Sequence, residues 1–153
     1  MVGAILKLIF GIKPSETTFA ARGFRGGEDG RREHLERIGP VFAAGYHAAL
    51  AGGIGASLSE CVMNVEPNLR GFAYEGAAMG LGLLDRLTPW RRDRVQTYLI
   101  GAGDRHAYMV HVALGWVAAR FPGRLEKQME PLDPLLRWLL LDGYGFQIGR
   151  AHV

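Results

Sequence analysis

The chain has 153 residues, 48% of them hydrophobic and 22% charged, a composition typical of one globular domain with a sizeable core. The formal net charge of +3 is too small, and the basic residues are too dispersed, to predict nucleic-acid binding. The single cysteine, Cys61, excludes an internal disulfide, and no apolar run approaches the roughly 20 residues that span a bilayer, so we expect a cytoplasmic protein without a transmembrane segment.

The first ten residues, MVGAILKLIF, are apolar apart from Lys7. They lack the basic start and the small-residue cleavage site of a secretory signal. We predict a short helix that packs on the core. The alternative is an interfacial helix, through which residues 1–12 would contact a membrane surface or a partner. The glycine-rich residues 11–30 predict an irregular connector, which Phe24 helps to anchor.

The next helix is predicted to run from about Arg31 to Ala51. Pro40 either kinks this helix or starts a second one, because proline cannot donate a backbone hydrogen bond. Small residues recur every four positions at Gly45, Ala49 and Gly53, which predicts close approach of another helix.

Two further helices are predicted at Ala56–Val65 and Gly71–Leu87. The second contains Gly76 and Gly80, one helical turn apart. A glycine inside a helix costs about 1 kcal/mol relative to alanine. The glycines therefore indicate that another backbone, or a ligand, comes close to this helix.

A surface helix is predicted from Pro89 to Ile100, because Thr88 followed by proline is typical of an N-cap and a first helical position. Residues 106–119 contain no Asp, Glu, Lys or Arg. A helix that is apolar all round is a buried one, so we predict a central apolar helix at about residues 105–121.

Two more helical segments are predicted near the C-terminus, at Leu125–Glu130 and from Leu135 to Gly143. Asp133 followed by Pro134 again has the pattern of a cap and a first helical position. No convincing alternating strand occurs anywhere in the sequence. The fold is therefore predicted to be all-α, a multi-helix bundle with short connections.

The last seven residues, 147–153, do not continue the preceding pattern. Their letters IGRAHV are the translation of a common short-read sequencing adapter. We therefore predict that residues 1–146 are the N-terminal part of a single helical domain, truncated at its C-terminus, and that residues 147–153 are a non-native tail. The missing C-terminal part of the same domain would then be a partner of this chain.

Glu75 is the first candidate for chemistry, because it lies in a helix rich in glycine and alanine. A buried carboxylate is costly unless it is paired or protonated. The structural interpretation is an ion pair, or a charge that stabilises the helix N-terminus. The functional interpretation is a general acid or base, or a ligand in a pocket.

His111 is the second candidate, in the middle of the most apolar segment and on one helical face with Tyr108 and Gly115. The structural interpretation is a hydrogen-bonded core histidine. The functional interpretation is a partner of Glu75, or a metal or haem ligand. His106 and His111 are five residues apart, whereas two zinc ligands on one helical face need four, so no metal site is predicted.

Several motifs resemble those of the DUF1702 family, a domain of unknown function found in bacterial gene clusters for enediyne and related polyketides. The motifs are RGFAYEGAAMG (70–80), LTPW (87–90), HAYMVHV (106–112), DPLLRW (133–138) and DGYGF (142–146). The resemblance covers about residues 6–146 and implies a role in bacterial secondary metabolism. It supplies no settled reaction, cofactor or catalytic residues.

The resulting hypothesis is an accessory enzyme or binding protein for a hydrophobic polyketide intermediate. The helices would form an apolar cavity, with polar contacts from Glu75, His111 and Tyr108. The alternative is a non-catalytic scaffold or self-resistance protein, in which the buried glutamate and histidine are structural. The sequence assigns no cofactor.

Overall fold

A computed structural model describes residues 2–21, 23, 30–121 and 123–150. Within these ranges the chain forms eight α-helices and no strand, which confirms the predicted all-α class. The helices are α1 (Val2–Phe10), α2 (Gly30–Gly52), α3 (Ala56–Met63), α4 (Arg70–Leu87), α5 (Arg94–Leu99), α6 (Ala107–Arg120), α7 (Leu125–Met129) and α8 (Leu139–Arg150). Short 3-10 turns occupy residues 14–17, 104–106 and 136–138. Among the described helices, none has both the length and the apolarity needed to cross a membrane.

The four longest helices pack in the order α2, α4, α6, α8, each against the next. The predicted central apolar helix corresponds to α6, which contacts both α4 and α8. The most enclosed element is α4, where every residue from 75 to 84 is buried. The core is therefore a stack of helices, in which α4 lies between α2 and α6, and α6 lies between α4 and α8.

Glycines allow the backbones of α2 and α4 to touch. A Cβ added at Gly76 would overlap the carbonyl oxygen of Phe42, and one added at Gly45 would overlap that of Ala73. The predicted close approach is thus confirmed for Gly45 and Gly76. The prediction was wrong for Gly53, which lies beyond the end of α2 with φ +64° and makes a turn instead.

Glycines likewise allow the backbones of α6 and α8 to touch. A Cβ at Gly115 would overlap the carbonyl oxygen of Leu140, and a Cβ at Gly143 would overlap that of Val112. Gly143 was predicted to end the last helix, and this was wrong, because α8 continues to Arg150. Gly143 lies inside α8, where it makes room for the backbone of α6.

Two predictions based on proline also need correction. Pro40 does not start a second helix, since α2 is one continuous helix that contains it. Thr88 does not begin a helix at Pro89 but ends α4, because its hydroxyl donates a hydrogen bond of 2.6 Å to the carbonyl oxygen of Leu84. The next helix, α5, begins only at Arg94.

The N-terminus of α5 is capped by Asp85, a residue of α4. The Asp85 carboxylate accepts hydrogen bonds from the backbone N–H of Arg94 at 3.3 Å and of Val95 at 3.0 Å. The Arg94 guanidinium donates to the same carboxylate at 2.9 Å, and both side chains are nearly buried. One carboxylate therefore satisfies three donors and fixes α5 on α4.

Replacing Asp85 by asparagine is expected to lower the free energy of unfolding by about 2 kcal/mol, because an amide group must then face one of these donors and Arg94 loses its counter-ion. Urea denaturation followed by circular dichroism measures this. The matched control is Asp93→Asn: Asp93 precedes α5 in sequence but is exposed and makes no side-chain cap. Equal losses in the two variants would contradict the assignment.

Asp133 was predicted to cap a helix that begins at Pro134, and this was wrong, because no helix begins there and its carboxylate instead caps the turn that leads into the 3-10 helix. Its carboxylate accepts hydrogen bonds from the backbone N–H of Leu135 at 2.8 Å and of Leu136 at 2.9 Å. These N–H groups lower the pKa of Asp133, with that of Leu136 contributing most. The cap precedes the 3-10 turn at residues 136–138, which leads directly into α8.

The first helix packs on the core, as predicted. Leu6 and Phe10 contact the core, and the Tyr46 hydroxyl donates a hydrogen bond of 2.9 Å to the carbonyl oxygen of Phe10. The other face of α1 is apolar and open, with Leu8 86% and Ile9 64% exposed. A contact of this face with a membrane or a partner stays a prediction.

The predicted tail lies partly within the last helix. Residues 147–150 continue α8, whereas residues 151–153 are outside the described residues, as is Phe24 of the predicted connector. The division into residues 1–146 and 147–153 stays a prediction.

Candidate functional site

An open cleft of about 350 Å³ lies between α4, α6 and α8. Its lining comes from all three helices and combines aromatic rings with two carboxyl groups. The lining residues are Glu75, Tyr108, Met109, Val112, Trp116, Asp142 and Phe146. The cleft has the apolar character and the few polar groups that are typical of small-molecule sites.

Helical spacing explains how these side chains come together. Tyr108, Val112 and Trp116 recur every four residues and therefore share one face of α6. Asp142 and Phe146 have the same spacing on α8. Because glycines hold α8 against α6, the two faces meet along one side of the stack, and Glu75 completes the cleft from α4.

Glu75 is the most perturbed acid of the cleft. Only 9% of the residue is exposed, and no hydrogen bond or ion pair joins its carboxyl group to any described residue. Burial raises the pKa of Glu75 to about 7. It is the sixth residue of α4, beyond the first turn, and so does not act as a cap. The carboxyl group is therefore free to accept or donate a proton near neutral pH.

Aromatic side chains form the opposite part of the cleft. The Trp116 ring stacks on Phe146 with centroids 5.0 Å apart, and it lies tilted against Phe42 of α2 at 5.8 Å. Tyr108 is 55% exposed at the edge. The Trp116 ring is thus in contact with two aromatic neighbours, whereas Phe146 is 54% exposed and offers ring surface to apolar or cationic groups. Tyr108 adds one phenolic hydroxyl for a hydrogen bond.

His111 does not line the cleft. It is 2% exposed, and its Nδ1 donates a hydrogen bond of 2.7 Å to the carbonyl oxygen of Ala107. Its Nε2 is buried and has no hydrogen-bond partner in the part of the chain that the structure describes. Of the three candidates, the structure brings Glu75 and Tyr108 to one cleft and places His111 in the core beside it.

The described residues offer no cluster of three or more His, Cys, Asp or Glu side chains that could hold a metal ion. Among the described residues that line the cleft, the two carboxyl groups belong to Glu75 and Asp142. The residues present assign no cofactor.

A second cavity of about 250 Å³ lies between α1, the end of α2 and residues 88–94. Two arginines reach it, Arg91 and Arg94. The Arg94 guanidinium is already bound to Asp85 at 2.9 Å, and Arg91 faces the exposed Asp93 at 3.9 Å. Because the Arg94 charge is already paired within the chain and Arg91 is largely exposed to solvent, this cavity is the weaker candidate for a site.

The sequence prediction missed five residues that line the cleft, namely Met109, Val112, Trp116, Asp142 and Phe146. The four-residue spacing of Tyr108, Val112 and Trp116 contained a signal for two of them. Asp142 and Phe146 were missed because the last helix was predicted to end at Gly143, which would separate them. A continuous helix through Gly143 would have placed them on one face.

A family model with the description "Protein of unknown function (DUF1702)" matches residues 1–152, which confirms the resemblance drawn from the motifs. The match runs past residue 146 into the residues for which we predicted a non-native origin. Neither the curated proteins nor the solved structures contain a match to this chain.

Proposed function

Since the chain belongs to the DUF1702 family, whose description names no reaction, we propose a function from the cleft itself. We propose that the cleft between α4, α6 and α8 binds a hydrophobic small molecule and that Glu75 exchanges a proton with it. The observation that carries the proposal is the unpaired, buried carboxyl group of Glu75 in an apolar cleft.

The pKa of Glu75 supports the role of a general acid or base. A group is most effective in proton transfer when its pKa lies near the working pH, because both forms are then populated. Burial raises the pKa of Glu75 to about 7, so the carboxyl group can act in either direction at neutral pH. A carboxylate at its ordinary pKa would be a weaker base and almost never an acid at that pH.

Tyr108 supplies a second polar group, at the edge of the cleft. Carbonyl compounds suit this pair, because a base removes the proton on the carbon beside the carbonyl and a hydroxyl donates to the oxygen that gains charge. In the proposed step, the C–H electrons form the enolate double bond, the proton goes to Glu75, and the Tyr108 hydroxyl donates a hydrogen bond to the enolate oxygen. Return of the proton regenerates the carboxylate.

The pathway is proposed from the resemblance rather than from the cleft. The family's occurrence in enediyne and related polyketide gene clusters suggests a polyketide intermediate of bacterial secondary metabolism as the ligand. Such molecules combine an apolar carbon chain with carbonyl groups, which suits an apolar cleft with one acid–base group.

The alternative is a non-catalytic scaffold or self-resistance protein. One observation favours it at His111, whose Nδ1 is engaged by the backbone within α6 and which does not reach the cleft. In that case His111→Asn would lower stability, and both Glu75→Gln and His111→Asn would leave the product unchanged. Because burial of the Glu75 charge is common to both interpretations, product formation by folded variants is the measurement that separates them.

The test uses an apolar ketone, 4-phenyl-2-butanone, in heavy water, with exchange of the protons beside its carbonyl followed by NMR. The native chain is expected to accelerate exchange, with a rate that rises as pH passes through about 7 because Glu75 becomes ionised. Glu75→Gln is expected to lower the accelerated rate at least about 100-fold, in line with the usual contribution of general acid–base catalysis.

The matched control is Glu60→Gln. Glu60 is an exposed glutamate of α3 that does not line the cleft, so the rate should equal that of the native chain. Circular dichroism of both variants establishes that they are folded. Equal exchange rates in native chain and folded Glu75→Gln would contradict the proposal.

A further inference from the structure

The charge of the cleft is opposite in sign to that of the chain. The chain carries a formal net charge of +3, yet among the described residues the ionisable groups that line the cleft are Glu75, Asp142 and Tyr108, without a Lys, Arg or His. An anionic ligand would meet two carboxyl groups and no counter-charge from the described lining. The lining therefore disfavours carboxylate and phosphate ligands and favours neutral or cationic ones.

Asp142 is available to a ligand. Its residue is exposed, and no hydrogen bond or ion pair within the described chain uses its carboxylate. It projects from α8 one turn before Phe146, whose ring stacks on Trp116 with centroids 5.0 Å apart. A carboxylate thus lies one helical turn from the exposed ring of Phe146 at one wall of the cleft.

Carboxylates next to aromatic rings are the usual surroundings of ammonium groups in protein sites. A cation over a Trp, Tyr or Phe ring is attracted by the electrons of the ring face, and quaternary ammonium groups are recognised in this way. Glu75 adds a second, buried carboxyl group without a partner, on the α4 side.

We infer that the ligand of this cleft carries an ammonium group, which binds between Asp142 and the exposed ring of Phe146. The apolar remainder of the ligand then lies along Val112 and Met109 toward Glu75. This inference deepens the proposed function and rests on it, since it names the charge class of the same ligand.

The test compares benzyltrimethylammonium with its neutral carbon isostere, neopentylbenzene, on the full chain at pH 8. Trp116 serves as the fluorescent reporter in a Trp90→Phe, Trp138→Phe background, because both other tryptophans are exposed and outside the cleft. The cation is expected to bind about tenfold more tightly than the isostere. This difference is the sum expected from one cation–ring contact and one partly exposed ion pair.

Asp142→Asn is expected to weaken binding of the cation about threefold and to leave binding of the isostere unchanged. Asp93→Asn, an exposed aspartate outside the cleft, is the matched control and should change neither.

Three outcomes would overturn the inference. Equal affinity for the two probes would remove the ammonium subsite and leave the proposed apolar cleft standing. A preference for the cation that Asp142→Asn does not reduce would remove the assignment to Asp142. If neither probe binds, both the inference and the proposed binding function fail.

Discussion

Replacing Gly143 by alanine is expected to lower the free energy of unfolding by about 3 kcal/mol, because the added methyl group has no room. It would overlap the carbonyl oxygen of Val112 and come within 2.9 Å of the Trp116 ring. The first of these neighbours is backbone, which cannot change rotamer, so α8 must move away from α6. Urea denaturation followed by circular dichroism and by Trp116 fluorescence measures the loss.

The control lies two residues further along the same helix. A Cβ at Gly145 would meet no atom of the described residues within 4 Å, so Gly145→Ala is expected to raise the free energy of unfolding by up to about 1 kcal/mol through helix propensity. Opposite signs at two glycines of one helix would establish the close contact of α6 and α8. Similar values for both would show that α8 does not pack as described.

Glu75→Gln is expected to raise the free energy of unfolding above pH 7 by about 3 kcal/mol. The pKa of the folded carboxyl group is raised from 4.5 to about 7 by burial. The contribution of this group to the free energy of unfolding is therefore fully present below pH 4.5 and is lost as the pH rises through about 7. The loss arises because the folded state must then hold a buried charge. At about 1.36 kcal/mol per pKa unit, the distance between the two values gives the expected magnitude.

The measurement is a series of urea denaturation curves from pH 4 to pH 8.5 for the native chain and the variant. The difference between them should grow across the window from pH 4.5 to about 7 and then stay constant. Glu60→Gln, at an exposed position, should show no such growth. A difference between native chain and Glu75→Gln that is constant over the whole range would contradict burial of the charge.

Local patterns were sufficient to predict most helices. The bounds of α4 and α6 follow from unbroken helix-forming segments that end at Thr88 and Phe121. The start of α5 could not be predicted this way, because its cap is Asp85, nine residues before Arg94 and in another helix. Thr88 has the chemistry of an N-cap, but its hydroxyl can equally bond back to the preceding turn, and only the packing decides.

The site could be predicted only in part, because packing between helices decides which side chains share it. Glu75 and Tyr108 could be selected because each is a polar residue in an apolar helix. Asp142 and Phe146 could not, since their common face exists only if α8 passes through Gly143. His111 was grouped with Tyr108 on one helical face, but its Nδ1 donates a hydrogen bond to the carbonyl oxygen of Ala107 and its ring is buried in the core.

Main-chain contact between α6 and α8, at Gly115 and Gly143, has a consequence for selectivity. The distance between the α6 and α8 walls of the cleft is set by the contact of the two backbones and not by the size of the side chains that face the cleft. Residues at positions 108, 112, 142 and 146 can therefore be exchanged without altering the frame that presents them. We expect such a scaffold to be retuned to ligands of different shape by a few substitutions, provided that both glycines are kept.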